Sequence, residues 1–309
     1  MKAIRCAILV NTALAAIFGQ TAPPHGDEAS IKVDVDVVNV LCTVRDKHGA
    51  LIKDLNKEDF EIREDGKPQQ IRYFARETDL PLTIALLVDV SGSVRRFVQA
   101  EKDTANRFFK EVLRPQDQAL LAGFSSTVVL WQDFTPSASL LTSSLERLHA
   151  VRFRGLPPLG QPMPSTLLYD AVYSTANTKL KNIQGRKAMV IVSDGLDNGS
   201  RVNLELAVRA VQATNTIVYG ICYENPRVPG CAYLKSLSEP TGGRMFQVGP
   251  KTSLSKIFQT IEEELRSQYS FGFFSTNPAR DGAFRKLQVE VHPKGLKVEA
   301  RRGYYAPAP

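Results

Sequence analysis

The chain has 309 residues, 43% of them hydrophobic and 23% charged, and a formal net charge of +7. That is an ordinary globular composition, and it excludes wholesale disorder, collagen and a disulfide-dense miniprotein. The basic residues are scattered, with Arg95-Arg96 and Arg301-Arg302 the tightest pairs, so the charge permits an anionic partner without pointing to nucleic acid.

The predicted elements begin with a leader. Met1 to Arg5 is positively charged, Cys6 to Phe18 is mostly apolar, and Gly19 to Ala22 is small and polar. This is the build of a secretory signal peptide over residues 1–22, with cleavage after Ala22 or Ala15; a buried N-terminal helix is the alternative. The apolar run is shorter than the roughly 20 residues that span a bilayer. No later segment is long and apolar enough for stable membrane insertion, so the expectation is a secreted or periplasmic protein.

Val33, Val35, Val37, Val38, Val40 and Leu41 make a mainly alternating strand over 31–45, followed by a turn at Asp46–Gly49. A second strand at 59–64 meets the hairpin signal Asp65-Gly66, and 70–75 alternates again. Residues 23–79 therefore read as a small β module. From Leu80-Pro81 the texture changes. Leu82 to Val88 is a continuous apolar run, as in a strand covered on both faces. Helix is expected at 96–113, 139–148, 168–180, 204–212, 231–237 and 254–266. Strand is expected at 119–124, 128–131, 189–193, 217–222 and 244–248. Such alternation over 80–268 predicts a doubly wound, mainly parallel α/β sheet. Alternating segments at 269–274, 286–291 and 296–300 are too short for a core of their own. They are expected to pair with 31–76, so that both chain ends form one β module around the inserted α/β domain. Tyr304 to Pro309 reads as a frayed tail.

Three cysteines lie beyond the leader. Cys222 and Cys231 bracket a loop with two prolines and suit either a disulfide in an oxidising compartment or two buried thiols. Cys42 falls in an apolar strand pattern and reads as a core thiol. His25, His48, His149 and His292 are scattered and no Cys-x-x-Cys occurs, so zinc and thiol-redox chemistry have no support.

The chemistry-bearing stretch is Leu86-Leu87-Val88-Asp89-Val90-Ser91-Gly92-Ser93. A buried strand ends there and delivers a carboxylate and two hydroxyls into a loop at the carboxyl edge of the sheet, where open α/β folds bind ligands. Hard divalent ions take such oxygen donors, and Mg²⁺ needs only one or two carboxylates. Met189-Val190-Ile191-Val192-Ser193-Asp194-Gly195 is a second buried strand with the same kind of ending, and Thr166 precedes the helix at 168.

In this order, on this pattern, residues 80–268 resemble the von Willebrand factor type A (VWFA) domain. Asp89-x-Ser91-x-Ser93 matches the family's first motif, Thr166 its distant threonine and Asp194 its distant aspartate. The flanks, from Val44-Arg45-Asp46 to Ile71 and at Gly303-Tyr304-Tyr305, resemble exported bacterial members. The resemblance implies a metal-ion-dependent adhesion site (MIDAS) formed by Asp89, Ser91, Ser93, Thr166 and Asp194. It implies Mg²⁺, or Mn²⁺ or Ca²⁺, with an open position for an acidic side chain of a protein partner, and no catalytic residue. A pull on the last helix upon binding is an analogy from the same family. One departure stands out: Pro164-Ser165 replaces the family's usual glycines, behind the proline-rich loop 152–163, whose Arg152 and Arg154 suit a rim for an acid.

Rival readings are a helix cap at Asp89–Ser93, a metal-free scaffold, and a metal-assisted hydrolase at Asp89 and Asp194. The hydrolase lacks a general base, a nucleophile elbow and a phosphate loop. Asp34 and Asp36 alternate on a strand and read as its solvated face, and Asp197-Asn198-Gly199 reads as a plain turn.

Overall fold

The computed structural model describes residues 37–76, 80–91, 108–110, 112–147, 165–223, 230–250, 252–292 and 294–308. The leader, Asp34, Asp36, Ser93, the loop 152–163 and most of the helix expected at 96–113 lie outside the described residues; Phe108–Lys110 and Val112 of that helix are helical.

The central sheet has the order β10(Met245–Val248), β9(Thr216–Tyr223), β8(Arg186–Ser193), β5(Leu82–Asp89), β6(Gln118–Phe124), β7(Val128–Thr135). All neighbours are parallel except β7, which turns back antiparallel on β6. The helices on its faces are α1(Ala138–Arg147), α2(Leu168–Ser174), α3(Leu204–Ala213), α4(Gly230–Ser238) and α5(Leu254–Leu265). α2 runs into a π-helical stretch, Thr175–Leu180. Every residue of β5, β8 and β9 is buried, because both faces are covered. The side chains divide by the two-residue period of a strand. Ile84, Leu86 and Val88 pack with Phe108, Leu141 and Ile261, while Ala85 and Leu87 pack with Leu168, Val172, Val211 and Leu234.

The two ends of the described chain make two four-stranded antiparallel sheets. One has the order β13(Lys297–Ala300), β1(Val37–Arg45), β11(Tyr269–Phe274), β4(Ile71–Arg76). The other runs β14(Gly303–Tyr305), β12(Phe284–Val291), β2(Phe60–Glu64), β3(Lys67–Gln69). Their shared core joins Val40, Cys42, Phe60, Ile62, Phe271 and Leu287. Asp65 and Gly66 both take positive φ, 47° and 80°, as a two-residue hairpin turn requires. Cys42 is a buried free thiol whose pKa burial pushes up.

Two expectations change. The strand expected at 70–75 forms as β4, but it is not the hairpin partner of β2: the short β3 before it completes the hairpin, and after Gln70 the chain crosses to β11 in the other sheet. The tail from Tyr304 is not frayed. β14 pairs with β12, and the buried Tyr304 hydroxyl donates to Glu64 Oε2 at 2.9 Å, a satisfied bond inside the module.

The module meets the α/β domain at the amino edge of the central sheet. Arg45 of β1 and Arg244, just before β10, both pair with Glu264 of α5. Arg302 pairs with Glu239 at 2.7 Å.

Candidate metal centre

Asp89 is the last residue of β5 and Ser193 the last of β8. The parallel register pairs Val88 with Val192, so the next residues, Asp89 and Ser193, stand level at the carboxyl edge. Ser193 Oγ donates to Asp89 Oδ2 at 2.6 Å and accepts from the Gly195 N–H at 2.9 Å. One fully buried hydroxyl thus fixes both strand ends. Asp89 Oδ1 accepts from the Ser91 N–H at 2.8 Å, which folds the chain back immediately after the strand.

Asp194 follows directly. Its Oδ1 accepts from the Leu196 N–H at 3.2 Å, while Oδ2 is buried without a hydrogen-bond partner. Asp89 and Asp194 are 1% and 3% exposed, and among the described residues no Lys or Arg pairs with either. Burial pushes the Asp89 carboxyl up to about 6. Hydrogen bonds from Ser193 and Ser91 oppose that rise, and the charge of Asp194 adds to it.

The loop after β8 can approach so closely because of two glycines. Gly195 has φ 80°, and a Cβ there would lie 2.0 Å from the Gly230 carbonyl oxygen; a Cβ on Gly230 would lie 2.0 Å from that of Asp194. Next to this contact, Cys222 at the end of β9 is disulfide-bonded to Cys231 in α4, which settles the two options left by the sequence.

Thr166 is held by the same loop. Its N–H donates to Asn198 Oδ1 at 2.6 Å, and the Asn198 N–H donates to the Thr166 carbonyl at 3.2 Å. The Leu167 N–H donates to the Ser125 carbonyl beyond β6 at 2.9 Å. Asp197 accepts from the Tyr169 N–H at 3.2 Å and from Ser200 Oγ at 2.5 Å, and Ser200 Oγ accepts from the Asp170 N–H at 3.0 Å. Asp170 in turn accepts from the Arg201 and Val202 N–H groups at 2.9 and 3.1 Å. Residues 197–202 are therefore a clamp on the start of α2 rather than a plain turn. Among the described residues the Thr166 hydroxyl makes no hydrogen bond, and it is 6% exposed.

The structure thus joins Asp89, Ser91 and Asp194 directly or through Ser193, and ties Thr166 to the Asp194 loop through Asn198. The sequence reading gives no site role to Ser193 or Gly230 and takes Asn198 for part of a plain turn. Ser193 alone had a signal there, since it ends the strand beside the one that ends in Asp89. The donors fit a hard cation: two buried carboxylates, one orphaned oxygen, and hydroxyls. No group of three or more His, Cys, Asp or Glu is gathered among the described residues, so hydroxyls would have to complete any such shell.

The sheet order, with an antiparallel strand only at the β7 edge and the motif stretches at the carboxyl edge, decides the fold class. The α/β part has a VWFA-like fold. Neither a protein-family model nor a curated protein matches the sequence. Among solved structures the chain is similar to BatB, a conserved hypothetical protein of Bacteroides thetaiotaomicron. The identity is 13% over 60% of this chain and 97% of that one, with a TM-score of 0.47. It is also similar to the vWF domain of the type V pili tip protein Mfa5 from Porphyromonas gingivalis: 11% identity, 60% and 94% covered, TM-score 0.44. A third is proximal thread matrix protein 1 of the mussel byssus, solved with a zinc-occupied MIDAS motif: 13% identity, 64% and 48% covered, TM-score 0.48. No helix among the described residues is long and apolar enough to cross a membrane.

Proposed function

We propose that this is an exported, divalent-cation-dependent protein-binding module. Asp89, Ser91, Ser93, Thr166 and Asp194 would hold a Mg²⁺-type ion, Mn²⁺ and Ca²⁺ being the other candidates. A bound ion supplies a positive, oxygen-seeking position at which an acidic side chain of a protein partner can be recognised. The observation that carries this reading is the pair of buried carboxylates at adjacent strand ends, with one oxygen orphaned and no basic partner among the described residues. A buried charge of this kind calls for a counter-ion.

The residues divide the work. Asp89 and Asp194 provide negative charge, Ser91 and Thr166 provide hydroxyl oxygens, Ser193 positions both carboxylate loops, and Asn198 positions the Thr166 backbone. Binding is favoured over catalysis because no general base adjoins the carboxylates among the described residues. The two described histidines, His48 and His292, lie in the β module. Export rests on the leader-like residues 1–22 and gains from the disulfide.

Calorimetry with Mg²⁺ and Mn²⁺ on the wild type and on Asp89→Ala tests the reading. Saturable binding lost in the variant is the expected result. A wild type that takes up neither ion at millimolar concentration overturns it and leaves a metal-free scaffold.

A further inference from the structure

At the opposite, amino edge of the central sheet a cavity of about 260 Å³ opens in the seam between the β module and the α/β domain. Asp89 and Asp194 lie at the other end of the strands, at the carboxyl edge. The polar lining of the cavity is basic and amidic: Arg186 and Lys187 at the start of β8, Arg301 between β13 and β14, and Asn39, Gln184 and Asn215 on the rim. Among the described residues that line it there is no Asp or Glu.

Two of these cations are buried and left with donors to spare. Arg301 is 9% exposed. Its Nη1 donates to Asn215 Oδ1 at 2.5 Å and its guanidinium lies 5.4 Å from the centre of the Tyr304 ring, while Nε has no hydrogen-bond partner. Asn215 itself sits at φ 52°, a left-handed turn that Asn tolerates. Lys187 is 7% exposed and spends one of its three protons on the Ile183 carbonyl at 2.7 Å. Neither is in an ion pair among the described residues. Burial pushes the Arg301 guanidinium down to about 10 and lowers Lys187 as well, the sign of cations short of counter-charge. Arg186 donates to the Leu80 carbonyl and to Gln268 Oε1, both at 3.4 Å. At the rim, the Asn39 and Gln184 amides make no hydrogen bond among the described residues.

We propose that this seam cleft binds a small organic oxyanion, carrying carboxylate or phosphate groups, between Lys187 and Arg301. Buried cations without acids are matched by an anion from outside, and the amide rim offers neutral donors around it. The volume sits below that of pockets for drug-sized molecules, roughly 300–1,000 Å³, which limits the ligand to a few carbon atoms. Because Asn39, Ser270 and Arg301 come from the module and Lys187 and Thr216 from the α/β domain, a bound anion bridges the two and raises the melting temperature.

The test is thermal melting and calorimetry of the full chain with succinate, citrate and inorganic phosphate, at constant ionic strength and with metal chelated. The expected result is a saturable rise in melting temperature with at least one probe. Whether succinate and citrate or phosphate acts best separates carboxylate from phosphate ligands. Arg301→Gln should weaken that probe by about tenfold or more, having lost a buried charge-assisted donor. Asn39→Asp, on the exposed rim and independent of the core, should weaken it severalfold by placing a like charge at the mouth. No saturable response to any of the three probes, or equal affinity in wild type and Asn39→Asp, overturns the proposal. Mg²⁺ binding at the other edge is unaffected in either case.

Discussion

The two edges of the central sheet carry opposite charges, and each leaves its charge unmatched. At the carboxyl edge, Asp89 and Asp194 are buried among hydroxyls and N–H groups. At the amino edge, Lys187 and Arg301 are buried around a cleft that no acid lines among the described residues. Close to the second pair lies a contrasting case. Asp117 and Arg266 are equally buried, yet they pair with each other, and Asp117 also accepts from the Leu82 and Arg114 N–H groups at 2.8 and 2.9 Å. The sequence can therefore match a buried charge where structure alone is at stake. On the two proposals above, the unmatched ones are the places that take a ligand from outside.

Several measurements break or sharpen this contrast. Arg266→Ala should show the largest effect, about 3–5 kcal/mol of stability in urea unfolding, since it strands Asp117 in the core. A loss near zero would erase the distinction. The pair also sets a pH dependence. Burial pushes the Asp117 carboxyl up, but the bonds from Arg266, Arg114 and Leu82 and the Arg266 charge outweigh it and hold the pKa below the ordinary range. A carboxyl with a lowered folded pKa contributes its stability above the unfolded value of about 4 and loses it as pH falls through the folded value. The acid limb of a stability–pH curve should flatten in Asp117→Asn.

Removing the staple beside the carboxyl edge comes next. Cys231→Ser opens a loop with a sequence separation of 9, which corresponds to about 2.5 kcal/mol of stability. Ser193→Ala, which frees both carboxylate loops, should lower Mg²⁺ affinity by about tenfold in calorimetry with little change in overall fold. The smallest stability change is expected for Asp194→Asn. In chelator its unfolding midpoint should stay level or rise slightly, since the orphaned charge is gone. The Mg²⁺-induced rise of the wild type, about 2.7 kcal/mol at a hundredfold excess over Kd, should vanish. A variant that is both destabilised and still stabilised by Mg²⁺ would contradict the division between matched and unmatched charge.

Much of the fold is legible because composition alone reveals double-sided burial. Leu82–Asp89 and Arg186–Ser193 carry the signal in their apolar runs, and Asp65-Gly66 announces its turn by dihedral preference. Asp89 and Asp194 are legible for the same reason, since a carboxylate directly after a buried strand must come out at the sheet edge. What stays hidden depends on partners distant in sequence. Ser193 bridges to Asp89 across 104 residues, and only strand register reveals it. Tyr304 finds Glu64 across 240 residues, while its own Pro-Ala surroundings suggest an unpaired end. The crossing at Gln70 is hidden because β3, Lys67-Pro68-Gln69, is short and polar and carries no alternation of its own.

The pairing of β1 has a consequence for the order of folding. Its ladder partners are β11 and β13: Cys42 lies opposite both Tyr269 and Ala300. Synthesis supplies Val38, Val40, Cys42 and Val44 early and their partners last, so these side chains stay unburied until nearly the whole chain exists. The α/β domain lies wholly between β4 and β11, so its formation brings those two strands side by side. The pairing of β1 with β11 and β13 is therefore expected to complete after the α/β domain has formed, and a refolding experiment that follows the two parts separately checks it.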